Sequence, residues 1–152
     1  MQRISFEFRS RAGTERSEVA INDLVITGWT GRDRHKVQEH IDELAALGVA
    51  PPSSVPCFYR AGVNLLTTAE EIDCLGEESS GEAEFVLLMR EDGWWVGAGS
   101  DHTDRKVEAY SISVSKQLCP KPVAPVLWRL EEVAGTGTAS RSYRRSRRMA
   151  PG

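Results

Sequence analysis

The sequence predicts an α+β domain that is mainly β, with one amphipathic helix in its N-terminal third. Three observations carry this reading. Ile4, Phe6 and Phe8 recur at every second position, the period of a strand with one buried face. Glu82 to Arg90, then Glu91-Asp92-Gly93, then Trp94 to Gly99 reads as a strand, a tight turn and its return strand. One long segment, Arg34 to Leu47, instead repeats at helical spacing through Val37, Ile41 and Leu44.

Taken in order, Met1 to Phe8 is an edge strand and Arg9 to Ser17 a polar turn. Val19 to Trp29 holds a second strand around Leu24, Val25 and Ile26. Thr30 to Asp33 is a loop with helix-starting chemistry, since a short polar side chain there can accept from the free N–H groups of the first turn. The helix runs to Leu47. Gly48 is its stop signal, and Pro51-Pro52 prevents continuation. Ser53 to Tyr59 is extended, Leu65 to Thr67 a short strand, and Glu77 to Gly81 a polar turn. After the hairpin, Asp101 to Ala109 is charged and accommodates a helical turn, while Tyr110 to Ser115 alternates as a strand. Pro120, Pro122 and Pro125 break the chain into extended pieces before a short helix over Val126 to Val133.

The expected domain is residues 1–134. From Gly135 to Gly152 the chain becomes Gly, Thr, Ser and Arg with almost nothing to bury, so this basic segment is expected to be disordered. Its composition resembles translation of an alternative reading frame, and the expectation is a domain shortened at its C-terminus. The net charge of −3 conceals an asymmetry: the tail holds five arginines, and residues 1–132 hold 14 bases against 22 acids, a net of −8. An acidic body suits cations better than phosphates, which argues against nucleic acid as a partner. No apolar run approaches the roughly 18 residues of a membrane span, and Met1 to Ser10 lacks a signal-peptide core, so no membrane association and a cytoplasmic location are expected. Cys57, Cys74 and Cys119 are odd in number and match no zinc spacing, hence free thiols.

Chemistry concentrates in the hairpin. Glu82 and Glu84 lie two apart on a strand, so both carboxylates leave one face. Two such charges repel unless they are solvated or bridged by a cation. The return strand ends at Gly97-Ala-Gly-Ser-Asp101, and its glycines permit close backbone approach. Asp101 then falls within reach of the glutamates. Hard cations such as Mg2+, Mn2+ or Ca2+ take several oxygen ligands. On spacing alone, a solvated acidic face competes with a metal site.

The segments Gly81-Glu-Ala-Glu84, Gly99-Ser-Asp-His-Thr-Asp-Arg105, Glu108 and Ser115-Lys116, with Pro56-Cys-Phe-Tyr-Arg60 and Leu65-Leu-Thr67 upstream, resemble the core motif of the fumarylacetoacetate hydrolase superfamily over about residues 40–126. That resemblance implies a mixed β-sheet or β-roll. It implies metal ligation by Glu82, Glu84 and Asp101, and substrate binding by Arg60, Arg105 and Glu108. Catalytic roles would fall to Lys116, Arg105 and His102. The implied activity is hydrolysis, decarboxylation or isomerisation of a small 2-oxo acid or 1,3-dicarbonyl compound through an enolate. Ser100 replaces the usual Asn, His102 directly follows the aspartate, and the family's upstream histidine has no clear counterpart. His102 either orients a metal-bound water or is an exposed loop residue. His35 and His40 lie on or near the helix that could contribute that upstream histidine, but His40, set among Val37, Ile41 and Leu44, is expected to be a partly buried structural histidine. Trp29, Trp94, Trp95 and Trp128 either line a pocket or pack in the core, and core packing is the expectation. A sheet lacking its last strands would expose an edge, so a homodimer is possible. The competing functional expectation is a non-catalytic binding module of the same fold.

Overall fold

A computed structural model of the 152-residue chain describes residues 1–31, 33–46 and 48–134. Arg32, the predicted helix end at Leu47 and the basic segment 135–152 lie outside the described residues. The described chain is mainly β with four short helices, as the alternation and hairpin signals indicate. It runs β1 (Gln2–Ser10), β2 (Gly13–Ile21), β3 (Leu24–Gly28), α1 (Arg34–Ala46), β4 (Cys57–Ala61), a 3₁₀ turn at Val63–Leu65 and β5 (Leu66–Thr67). It continues through β6 (Ser79–Ser80), β7 (Ala83–Arg90), β8 (Gly93–Ser100), β9 (Thr103–Asp104), α2 (Arg105–Glu108) and α3 (Ile112–Gln117). The last elements are β10 (Lys121–Pro122), β11 (Val126–Arg129) and α4 (Leu130–Val133).

The central sheet has the order β2-β1-β11-β8-β7, with β1 and β11 parallel and every other pair antiparallel. Period-two alternation decides its two faces. Ile4, Phe6 and Phe8 of β1, Ile21 of β2, Leu127 of β11 and Trp95 of β8 are buried on the inner side, against Leu66 and Val123. Val86 and Leu88 of β7 pack onto this cluster. The β5–β10 and β3–β4 pairs are smaller two-stranded ribbons. Close approach explains two of the hairpin glycines. A Cβ at Gly97 would come within 2.4 Å of Leu127 Cδ2, and one at Gly99 within 2.5 Å of Val86 Cγ2 and 2.9 Å of the Pro122 carbonyl. Only glycine lets the end of β8 lie under the 122–124 segment, where Ala124 N–H donates to the Ala98 carbonyl at 2.8 Å.

Several expected elements differ. The second predicted strand is two, β2 and β3, and the polar turn before it is confined to residues 11–12. Tyr110 to Ser115 is not a strand. Ser111 caps α3, its hydroxyl accepting from Val114 N–H, and a local cap outweighs a weak alternation of apolar residues. Val126 to Val133 divides into β11 and α4, because β1 and β8 offer Val126–Arg129 hydrogen-bonding partners on both sides. The helical turn within 101–109 is present as α2, capped by Asp104. Among the tryptophans only Trp95 is buried, whereas Trp94 and Trp128 face outward.

Candidate metal and ligand site

The hairpin register builds the site. Ala83 pairs with Ser100 in the ladder, so Glu82 and Asp101 continue the two strands side by side, and Asp101 N–H donates to the Glu82 carbonyl at 2.9 Å. Glu84 follows on the same face as Glu82. One carboxylate oxygen from each of Glu82, Glu84 and Asp101 lies within 4.8 Å of the others, close enough to share one cation. The three differ in exposure: Asp101 is buried, Glu82 half-buried and Glu84 open to solvent.

Cationic groups surround the cluster from helices and a short strand that follow in sequence. Lys116, in the last turn of α3, is buried, and its ammonium donates to Asp101 Oδ2. Lys121, on β10, is also buried. It lies 3.3 Å from Asp101 Oδ1 and donates to the His102 carbonyl. Arg105, opening α2, donates to Glu82 and, at 3.0 Å, to Glu108 Oε2. Asp101 Oδ1 is buried without a hydrogen bond, held only by its charge contact with Lys121. Burial, set against the pull of Asp101, holds Lys121 below the ordinary lysine value.

Glu84 is pushed above the ordinary carboxylate value, first by desolvation and then by the charges of Asp101 and Glu82, with Lys116 opposing. A carboxyl raised in the folded state binds a proton more tightly folded than unfolded. Stability therefore falls as pH rises from the ordinary carboxylate value to the raised one, and the full cost persists above it. In cation-free buffer, Glu84→Gln is expected to raise the thermal midpoint at neutral pH, with the advantage over wild type shrinking toward about pH 4. Melting curves of both proteins across that range check this. An unchanged midpoint at neutral pH would mean that Glu84 carries no such cost.

The carboxylates form one wall of a cleft of about 530 Å³ that also contacts Lys116. The opposite wall comes from Thr27 to Gly31 and from Lys36, Val37 and His40 of α1. Trp29 sits at φ 60°, an uncommon backbone region for a bulky residue, and its indole N–H donates to the Tyr59 hydroxyl at 3.0 Å. His40 stacks obliquely on Trp29 with ring centroids 5.7 Å apart, and its Nδ1 is 3.8 Å from Glu43. The expectation of a partly buried structural His40 is thus corrected: it is exposed and lines the cleft. The helix stripe through Val37 and Ile41 is narrow, with only Ile41 buried, and His40 falls beside it.

Among the sequence-predicted residues, the structure brings Glu82, Glu84, Asp101, Arg105, Glu108 and Lys116 together. Arg60 is not among the cleft-lining residues. It is exposed on β4, paired with Asp23. His102 does not line the cleft either, its Nδ1 lying 3.2 Å from Ser100 Oγ beneath Gly81. The sequence reading missed Lys121, Lys36, Thr27 and Thr30. Lys121 carried one usable signal: a lone lysine between Pro120 and Pro122, which hold it extended.

Comparison with known proteins places the chain in one family. Residues 27–139, most of its length, match the family described as protein of unknown function (DUF2848), and the chain belongs to that family. No curated protein and no solved structure matches it. The resemblance to the fumarylacetoacetate hydrolase superfamily is corrected by this finding. The short pieces that suggested it, two glutamates two apart, a hairpin, and a following arginine and lysine, are what many polar clusters on antiparallel hairpins share. Cys57, Cys74 and Cys119 are free thiols. Among the described residues no helix is long and apolar enough to cross a membrane.

Proposed function

We propose that Glu82, Glu84 and Asp101 bind one divalent cation, Mg2+ or else Mn2+ or Ca2+, and that the cleft beside them takes a small 2-oxo acid or 1,3-dicarbonyl compound. The proposed class is a metal-dependent hydrolase, lyase or isomerase working through an enolate. The observation that carries this reading is the convergence of three carboxylates on one wall of an open cleft. A bound cation would chelate substrate oxygens and stabilise the negative charge that develops on them. Lys116 holds Asp101 in place from beneath. Arg105 fixes Glu82 and presents its guanidinium beside the cluster, where it suits a substrate carboxylate. His40, on the far wall, is the cleft's candidate for taking up a proton. His102 supplies its backbone carbonyl to Lys121, while its ring meets Ser100 outside the cleft.

One observation favours a second reading, a binding module without turnover. Both lysines pair with Asp101 and Arg105 pairs with Glu82, so two of the three carboxylates are held by the chain's own cations without a bound ion. Calorimetry with MgCl2 and MnCl2 on wild type and Glu84→Ala separates the possibilities. Wild type is expected to bind one ion, and the variant to bind at least about tenfold more weakly, the loss seen even when a residue merely supporting a ligand is removed. Absence of binding by wild type would end the metal reading. Binding without turnover of oxaloacetate-like or acylpyruvate-like compounds would favour the module.

A further inference from the structure

The outer face of the central sheet is divided. On β1 and β2 it carries Arg3, Glu7, Arg9 and Glu18, and these pair among themselves, Arg3 with Glu18 and Arg9 with Glu7. On β7, β8 and β11 it carries no charge. The ladder sets Phe85 beside Ala98, Leu87 beside Val96, Met89 beside Trp94, and Val96 beside Trp128. Phe85 is 73% exposed and Met89 66%, with Leu87, Trp94 and Trp128 between 39% and 46%. Taking about 150–250 Å² for each large side chain, these five alone expose roughly 500 Å² of contiguous apolar surface. A monomer rarely shows a patch larger than a few hundred Å².

We infer that this face is the contact surface of a homodimer, two copies packing their β7–β8–β11 sheets face to face about a two-fold axis near Leu87. Four observations favour a second copy as the occupant. The patch, roughly 500 Å² before the smaller Val96 and Ala98 are added, supplies more than half of the ~800 Å² per partner that a standard interface buries. The outward residues of its three strands carry no charge, Glu84 being the one charged residue that lines its groove, and an apolar centre is the composition of homodimer interfaces. It holds both halves of a self-complementary contact: a groove of about 270 Å³ lined mainly by Phe85, Val96, Ala98, Trp128 and Val133, with Glu84 also reaching it, and the outstanding Leu87 and Met89 side chains beside it. Finally, the face is apolar out to its last strand, where Phe85, Leu87 and Met89 of β7 point outward, whereas β2 at the other side carries Arg16 and Glu18.

Sedimentation velocity on the full chain, over a hundredfold concentration range, tests this. Wild type is expected to sediment as a dimer, and Leu87→Glu as a monomer with an unchanged far-ultraviolet circular dichroism spectrum. Arg16→Glu, on the charged half, should stay dimeric. If Leu87→Glu fails to fold, Leu87→Cys, at the proposed axis, provides the second measurement: a bis-maleimide able to span the ~10 Å between packed sheets should give a covalent dimer that wild type, with its own three cysteines, does not form. A monomeric wild type would overturn the inference, as would a dimer that persists in folded Leu87→Glu. Absence of that crosslink in Leu87→Cys would overturn it too. Dissociation of the dimer only when residues 135–152 are deleted would assign the contact to that segment instead.

Discussion

Replacing Asp101 with alanine is expected to destabilise the fold by about 3–5 kcal/mol, the loss typical of breaking a buried ion pair from one side. Asp101, Lys116 and Lys121 are 5%, 6% and 3% exposed, so water replaces the missing carboxylate only poorly around either ammonium. The cost is the two uncompensated charges rather than the lost attraction. That distinction is measurable. Adding Lys121→Met to Asp101→Ala should recover part of the loss, because one stranded charge goes with it. Urea unfolding of wild type, Asp101→Ala and the double variant gives the three values. A single-variant loss under about 1 kcal/mol would place the pair among solvated surface bridges and remove its structural role. Asp101 would then serve the cation alone, and Asp101→Ala should fold normally while losing the ion.

The parts of the site legible in sequence are those set by strand periodicity and hairpin closure. Glu82 and Glu84 had to share a face, and Glu91-Asp92-Gly93 had to return the chain so that Asp101 lay beside them. Gly97 and Gly99 were readable as close-approach positions, and the contacts of their absent Cβ atoms bear that out. The helix was legible from Val37, Ile41 and Leu44 and from the Gly48 stop. What escaped was long-range. Lys121 reaches Asp101 because β10 pairs with β5, a parallel contact 55 residues apart in sequence with no local signature. His40 and Trp29 form the far cleft wall because β3 and α1 are carried over the hairpin, and their local apolar context pointed inward instead. Tyr110 to Ser115 shows the opposite failure. A chance alternation suggested a strand, while the Ser111 hydroxyl supplied a cap and made a helix. Motif order across the chain proved the least reliable guide: several short polar pieces in sequence suggested a superfamily to which the family match gives no support.

A loss of the same size with a different origin is expected at Phe8. Its ring is buried, 4.9 Å from Trp95 in an edge-to-face arrangement, with the Arg90 guanidinium 4.1 Å above it. Phe8→Ala removes a side chain from the middle of the inner face, and the surrounding strands are tied by ladders on both sides, so the hole cannot close. The expected cost is about 3–5 kcal/mol. Phe8→Leu refills most of the volume but not the ring quadrupole that Trp95 and Arg90 use, and should retain a deficit of about 0.5–1.5 kcal/mol or more. Arg90 offsets a little of the alanine loss. Its Nη1 is buried without a hydrogen bond, and a cavity beside it admits water. Phe8 touches neither the carboxylates nor the cleft, so at equal stability loss the two alanine variants should part in function. Phe8→Ala, measured below its unfolding midpoint, should bind a divalent cation with wild-type affinity per folded molecule, and Asp101→Ala should not. If both variants lose the ion equally, the cation affinity reports global folding rather than the three carboxylates, and the hairpin site is not its origin.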